Sequence, residues 1–327
     1  MHVTAAFWRL GRSRLKVALV PPPIGDSKEL AAFEGAARDE ECVLAAAFGA
    51  PFFYSQNGYA FAVPTLGGMQ LRLSQIPSDM PGEYTVRPAT MDDAPTVAAW
   101  YDRFTGPLDL WAERTETTPT DKYIIVRRGK SVGYLWLEIS DPIRVYELAA
   151  GDADGLSAAL AFAHAEAEKS GGHSIALHLP PTHPALVLAG YLSAETLPVE
   201  AFQVNVLDER AFLLALADEW AARLGAGPLA GFDGRLIIDL YTGRLALLFS
   251  DGMLREVLAS DPGEAWDLLI PPTAAAQLWL GWRSRAELEA WRPDVRVRKG
   301  MQMVVDSLFP KLDGYIYGPP RPEETGA

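Results

Sequence analysis

Two stretches of this chain, about 130 residues apart, share one order of strand, turn and Gly-Tyr pair. The first begins at Ala45 and reads AAAFGAPFFYSQNGYAFAV, and the second begins at Ala176 and reads ALHLPPTHPALVLAGYLSA. Each follows an apolar strand-like run, at residues 14–20 and 143–150, and then a helix-like run. A pattern repeated along a chain indicates a duplicated structural unit. The sequence therefore predicts two copies of a strand–helix–strand–turn–strand unit, and an α/β fold for both.

The two copies differ in what precedes them. The second copy follows a strand and a helix at residues 84–104, and then a predicted hairpin at residues 122–140 whose turn is RRGKS. The first copy has only about a dozen residues before its first strand. We therefore expect a truncated unit over residues 1–82 and a complete unit over residues 83–200.

The pattern changes after residue 200. A strand and an amphipathic helix come first, then a hairpin around YTG, and then a strand and two helices. Ser284 and Glu287, three residues apart, predict a capping box at the start of the second of these helices. We expect a separate α+β domain over residues 201–317. The tail, residues 318–327, is polar and rich in proline, which predicts disorder.

Composition excludes several classes of function. The net charge is −13, which argues against binding to a nucleic-acid backbone. Cys42 is the only cysteine, so no internal disulfide can form, and a cytoplasmic location is expected. No run of 18 apolar residues is present, so no membrane span is predicted. His173, His178 and His183 are spaced by five, which places neighbours on opposite faces of a strand, and no metal site is expected.

The order of elements resembles a known superfamily. A strand, a proline-containing turn, a helix, a second strand and then FY followed by GY are similar to the GNAT N-acetyltransferases. Two such units before a third α+β domain resemble the enhanced intracellular survival type, whose third domain has a sterol carrier protein-like fold. The stretches LWLGWRSRAELEAW and DSLFPKLDGYIY look like the closing segments of that domain. The most specific local match is GAPFFYSQNGYAF.

The resemblance implies transfer of an acetyl group from acetyl-CoA to a small-molecule amine. The family's general acid is a tyrosine after the second strand, which corresponds to Tyr54 here. The second copy has Ala185 and Leu186 at the matching positions and is interpreted as structural. Family members also assemble into rings, so a homo-oligomer is a further expectation.

The resemblance also implies which residues hold the cofactor. The backbone of the first strand would pair with the pantetheine arm along a free strand edge, and the loop after it would contact the pyrophosphate. The corresponding residues here are Val17, Ala18, Leu19, Val20, Gly25 and Lys28.

The chain departs from the family pattern at the pyrophosphate loop. The first copy has PPPIGDSKEL, with three prolines and no arginine, and the second has AAGDADGLS, with two aspartates and no cation. The family's catalytic base is a C-terminal carboxylate, which would fall near Tyr315 or Tyr317, yet this chain continues to Ala327. Either this protein has lost catalysis, or the true start lies upstream of Met1. Two functions remain open: an acetyl-CoA-dependent N-acetyltransferase that uses Tyr54, or a catalytically degenerate GNAT-fold protein that acts as a binding or assembly module.

Overall fold

Sixteen β-strands form two sheets in the part of the chain that the computed structural model describes, which is residues 3–22, 24–114 and 120–318. The predicted disordered tail lies outside this part except for its first residue. The large sheet contains β1 Thr4–Leu10, β2 Ser13–Leu19, β3 Leu44–Ala47, β4 Ala60–Arg72, β5 Tyr84–Pro88, β6 Leu110–Ala112, β7 Lys122–Arg127, β8 Lys130–Glu138, β9 Ile143–Ala150, β10 Ser174–Leu177 and β11 Glu195–Val206. The small sheet contains β12 Gly234–Asp239, β13 Arg244–Ser250, β14 Met253–Ala259, β15 Leu268–Leu269 and β16 Arg296–Val297.

Ten α-helices connect these strands in the described part of the chain. They are α1 Ser27–Asp39, α2 Pro51–Gln56, α3 Ala94–Thr105, α4 Ala153–Ser170, α5 Pro184–Tyr191, α6 Glu209–Ala215, α7 Ala217–Gly225, α8 Pro272–Trp279, α9 Arg285–Trp291 and α10 Gln302–Leu308. Two short 3₁₀ turns lie at Leu73–Gln75 and Met91–Asp93. None of the helices described here is long and apolar enough to cross a bilayer.

The large sheet is continuous across both predicted units. Its strand order is β5-β7-β8-β9-β10-β4-β11-β3-β2-β1-β6. In each unit two strands run parallel, β2 with β3 and β9 with β10. The last strand of each unit then lies beside the other unit's parallel pair, because β4 pairs with β10 and β11 pairs with β3. The two units therefore share their central strands, and the β4–β11 pair joins them into one sheet.

Three apolar clusters cover this sheet. Helix α1 packs on one face of the first unit, where Leu30, Phe33 and Ala37 are fully buried as their spacing predicted. The opposite face packs against helices and strands of the C-terminal part, and Trp8 and Trp220 belong to that shared cluster. The second unit has its own cluster around α4. Both faces of the first unit are thus covered.

The boundary expected near residue 200 falls inside a strand. Strand β11 runs from Glu195 to Val206 and pairs with both β3 and β4. The predicted helices α8 and α9, the hairpin β12–β13 and the Ser284–Glu287 capping box are all present. The division into domains at residues 82, 200 and 317 remains a prediction.

Candidate functional site

The two parallel strand pairs differ in how far they stay together. In the first unit, pairing runs to the end of β2: Leu19 is opposite Ala46, and the amide of Val20 donates to the Ala46 carbonyl at 2.9 Å. In the second unit, pairing ends at Val145 opposite Leu177, and β9 continues to Ala150 without β10. The second unit therefore has an opening between its parallel strands.

The prediction that β2 presents a free edge was wrong. β2 lies between β1 and β3, and Val17, Ala18 and Leu19 have partners on both neighbouring strands. The physical reason is the hairpin formed by β1, which covers the outer side of β2. Ala18 and Val20 face the α1 side of the sheet, whereas Val17 belongs to the cluster on the opposite face.

The start of α1 holds its own carboxylates. Asp26 is the N-cap, and its Oδ1 accepts hydrogen bonds from the backbone amides of Lys28 and Glu29 at 2.8 and 2.9 Å. Glu29 Oε2 accepts from the backbone amide of Gly25 at 2.8 Å. The side chain of Lys28 is exposed. Three of the backbone donors at this helix start are therefore bonded to side chains of the same segment.

Tyr54 lies on α2, a six-residue helix where the sequence predicted a polar turn. Pro51 at the first helical position favours this helix, because its fixed φ suits that position and its missing N–H is not needed there. Tyr54 is 5% exposed and packs against Phe53 and Tyr59, at ring-centroid distances of 5.2 and 5.4 Å. Burial raises the pKa of Tyr54 above its usual value. Tyr54, Ala18 and Val20 lie in one apolar cluster.

The helix start of the second unit is also capped by aspartate. Asp152 accepts hydrogen bonds from the backbone amide of Gly155 and from the hydroxyl of Tyr84, both at 2.8 Å. Its second oxygen lies 3.4 Å from the guanidinium of Arg127. The hydrogen bond from Gly155 is the main reason why the pKa of Asp152 lies below its ordinary value. This carboxylate is therefore ionised, and both of its oxygens have partners.

An apolar cleft of about 540 Å³ lies at the opening of the second unit. Residues of α3, the end of β9, the start of α4 and α5 line it. They are Trp100, Arg103, Phe104, Pro107, Ala149, Ala150, Gly151, Asp152, Ala153, Leu156, His183, Pro184, Val187, Leu188 and Tyr191. Its volume and lining are those of a small-molecule site. We refer to this space as the second-unit cleft.

His183 bridges the opening. Its Nε2 lies 2.8 Å from the carbonyl oxygen of Leu148 on β9, and its Nδ1 accepts from the backbone amide of Ala185 at the start of α5. This arrangement requires the neutral tautomer with the proton on Nε2. Burial lowers the pKa of His183 to about 4, so the ring is neutral at physiological pH. Its ring also packs edge-on against Phe104 at 5.0 Å.

A buried carboxylate lies on β9, two residues before Ala149, which lines the cleft. Glu147 of β9 is fully buried and pairs with Arg114, and it accepts a hydrogen bond from the hydroxyl of Tyr134 at 2.9 Å. The Arg114 guanidinium stacks over the ring of Tyr101, 4.0 Å from its centroid. These contacts fix the middle of β9, where it has left β10.

Sequence reasoning missed the second-unit cleft. It interpreted the second copy as structural, because Ala185 and Leu186 cannot donate a proton. In the sequence, His183 is one of three histidines spaced by five. Its position directly before Pro184 was the available signal, since a side chain that precedes a helix-starting proline is placed to cap that helix. Nothing local in the sequence connected it with Trp100 or Arg103.

Comparison with known proteins gives the fold. No family model matches the sequence, and no curated protein matches it. Among solved structures, a GCN5-related N-acetyltransferase from Anabaena variabilis is similar, with 14% identity, a TM-score of 0.68, and coverage of 96% of this chain and 84% of that one. One from Kribbella flavida has 17% identity, a TM-score of 0.67, and coverage of 96% and 82%. Eis1 from Mycobacterium abscessus has 15% identity, a TM-score of 0.58, and coverage of 94% and 83%. The chain therefore has the mixed α/β fold of the GCN5-related N-acetyltransferases, as the sequence predicted.

Proposed function

We propose that this chain is a non-catalytic GNAT-fold protein that binds a small apolar molecule in the second-unit cleft. The observation that carries the proposal is the state of the two helix starts. Each is capped by an aspartate of the chain, Asp26 at α1 and Asp152 at α4. Backbone donors at these positions are the groups that would bind a CoA pyrophosphate.

A pyrophosphate does not suit either helix start. At α1, the donors of Gly25, Lys28 and Glu29 already bond to the carboxylates of Asp26 and Glu29. A phosphate would have to displace these carboxylates and would then lie beside two negative charges. At α4, the carboxylates of Asp152 and Asp154 likewise place negative charge at the N-cap and in the first turn. Acetyl-CoA therefore does not fit the residues present at these two places.

The pantetheine arm also lacks a suitable strand edge with which its amide groups could pair. β2 is paired on both sides as far as its last residue, so its backbone groups are taken. In the second unit, the opening exposes β9, but His183 bonds to the carbonyl of Leu148. An amide group of a cofactor arm would have to compete with this buried contact. The opening instead offers an apolar cavity, which supports binding of an apolar ligand.

Acetyl transfer by the first unit is the second candidate function. One observation favours it: Tyr54 lies on the helix that directly follows β3, where the family resemblance expects its general acid. Its hydroxyl would have to reach a thioester from within the cluster around α1. The sterol carrier protein-like character of the C-terminal part, and any lipid bound there, also remain proposals.

A transfer assay separates the two candidates. The full chain is incubated with acetyl-CoA and a panel of primary amines, and release of the CoA thiol is followed with a thiol reagent. We expect a rate equal to that of the protein-free control. Amine-dependent release above the control rate would overturn the proposal. A loss of that release of at least tenfold in Tyr54→Phe, but not in Tyr241→Phe, would assign the transfer to Tyr54. Tyr241 is a suitable control because it is 55% exposed and lies in the C-terminal hairpin.

A further inference from the structure

We propose that the ligand of the second-unit cleft is an apolar monocarboxylic acid whose carboxylate pairs with Arg103. This inference rests on the proposed binding function and adds the chemical class of the ligand. It depends on the distribution of charge around the cleft and on the shape of the cleft.

The body of the cleft is apolar. Phe104, Ala149, Leu156 and Leu188 contribute the apolar surface from four different elements. Leu156 and Ala149 are buried, at 8% and 4% exposure, and close the inner end. Val187 and Tyr191 on α5 are exposed, at 57% and 85%, and form the outer rim. An apolar ligand entering here would cover side chains that now face water, which is the main source of binding energy.

Besides the aromatic side chains of Trp100 and Tyr191, three polar side chains line the cleft, and two of them are engaged. His183 uses both ring nitrogens, on Leu148 and Ala185. Asp152 is bonded by the amide of Gly155 and by the hydroxyl of Tyr84, and it is paired with a guanidinium. Neither group is available to a ligand without breaking these contacts.

Arg103 is the third polar side chain, and its charge is available. Its guanidinium lies over the ring of Trp100, 5.0 Å from the ring centroid. No carboxylate in the described part of the chain pairs with it. The stacked contact holds the planar group at the rim and leaves its N–H edge free. A carboxylate matches that edge with two parallel hydrogen bonds.

The charge also limits the ligand's head group. One guanidinium balances one negative charge, and Asp152 places a second carboxylate in the same lining. A doubly charged phosphate monoester would be repelled by Asp152 more strongly than a carboxylate would. An apolar tail with one carboxylate therefore fits both the cavity and the guanidinium of Arg103.

The test compares three probes with the same ten-carbon tail: decanoate, decanol and decyl phosphate. Binding to the full chain is followed by calorimetry and by quenching of tryptophan fluorescence. We expect decanoate to bind about fivefold to tenfold more tightly than decanol, since a charge-assisted pair at a partly hydrated rim contributes modestly. Equal binding of decanoate and decanol would overturn the monocarboxylate, as would tighter binding of decyl phosphate. Binding of none of the three would instead overturn the proposed binding function.

Arg103→Gln tests the residue directly. Its side chain is exposed, so the substitution leaves the core intact. We expect it to abolish the preference for decanoate over decanol while decanol binding stays unchanged. The matched control is Arg255→Gln, which makes the same change of charge at an exposed position of β14 and keeps the preference. A preference that survives in Arg103→Gln would overturn the assignment of Arg103.

A second variant locates the apolar tail. Leu188→Glu places a charge inside the cleft, and we expect it to weaken decanoate and decanol alike by at least tenfold. Val199→Glu is the control, because Val199 is 59% exposed on β11 and does not line the cleft. Circular dichroism checks that both variants are folded. Unchanged binding of both probes to folded Leu188→Glu would place the tail elsewhere and overturn the proposal.

Discussion

The buried ion pair between Arg114 and Glu147 gives a quantitative test of the structure. Glu147 is fully buried, and the side chain of Arg114 is 18% exposed. Arg114→Met removes the only cation that pairs with this carboxylate in the described part of the chain. Loss of one partner of a buried pair costs about 3–5 kcal/mol, because the other charge is left without compensation. The slight exposure of Arg114 lets water approach, so we expect about 3 kcal/mol.

The double variant Arg114→Met/Glu147→Leu should recover most of this loss. Two apolar side chains of similar volume replace the pair, which is often neutral for stability. The hydroxyl of Tyr134 then loses its acceptor, which costs about 1–3 kcal/mol. We therefore expect the double variant to be about 1–2 kcal/mol less stable than the wild type, and more stable than Arg114→Met alone.

Urea unfolding, followed by circular dichroism, measures these differences as shifts of the transition midpoint. Arg72→Met is the control: Arg72 and Glu195 form an ion pair whose side chains are 74% and 71% exposed. Such a pair contributes about 0–1 kcal/mol. A cost of Arg114→Met no larger than that of Arg72→Met would refute the buried ion pair. A double variant that loses as much stability as Arg114→Met and Glu147→Leu together would refute it as well.

Three further predictions concern pH, the shared sheet and the helix cap. Burial lowers the pKa of His183 to about 4 from an unfolded value near 6.5, so the unfolded chain binds the extra proton first, and stability falls as pH decreases from 6.5 to 4. In His183→Asn, the free energy of unfolding should depend less steeply on pH across this range. In His173→Asn, a substitution at an exposed position, the pH dependence should stay as in the wild type. Gly68→Ala should strongly destabilise the sheet, because Gly68 has a φ of +98° and an added Cβ would lie 2.0 Å from a carbonyl oxygen of β10. Gly35→Ala is the control, since Gly35 lies in the middle of α1 and an added Cβ there would have nothing within 4 Å. It should instead raise the midpoint of urea unfolding by the equivalent of about 0.5–1 kcal/mol. Asp26→Ala should cost about 1 kcal/mol and Asp26→Ser almost nothing, since serine also caps helices, and equal losses in urea would contradict the capping role.

Local elements could be predicted because each is fixed by neighbouring residues. α1 follows from its Asp26 cap and the spacing of its buried face, and α4 ends at Gly171, whose φ of 74° suits glycine. α9 follows from its capping box. Even α2, which was missed, has its own local cause in Pro51. It was missed because polar residues and a Gly-Tyr pair outweighed that signal.

The exchange of strands could not be predicted from local pattern. β4 and β11 are both long strands, and nothing in either sequence states which parallel pair it adjoins. Pairing of β4 with β10 joins residues about 100 positions apart, so it depends on the packing of the whole sheet. The copies were recognised as repeats, but their interlocking was not.

The cleft was missed for a similar reason. Its lining comes from α3, β9, α4 and α5, and about 80 residues lie between the end of α3 and the start of α5. The opening exists because β9 is longer than the paired part of β10, and strand length of this kind is not encoded in periodicity. The aspartates at the two helix starts, in contrast, were visible in the sequence, and the structure shows what they bond to.

A calorimetric titration of the full chain with acetyl-CoA tests the central claim most directly. The account predicts no heat of binding and no thermal shift at about 1 mM acetyl-CoA, because the amides at the start of α1 are bonded to Asp26 and Glu29. Binding with a micromolar dissociation constant would show that the chain admits the cofactor, and would contradict the claim that its capped helix starts do not fit a CoA pyrophosphate, on which the proposed function rests.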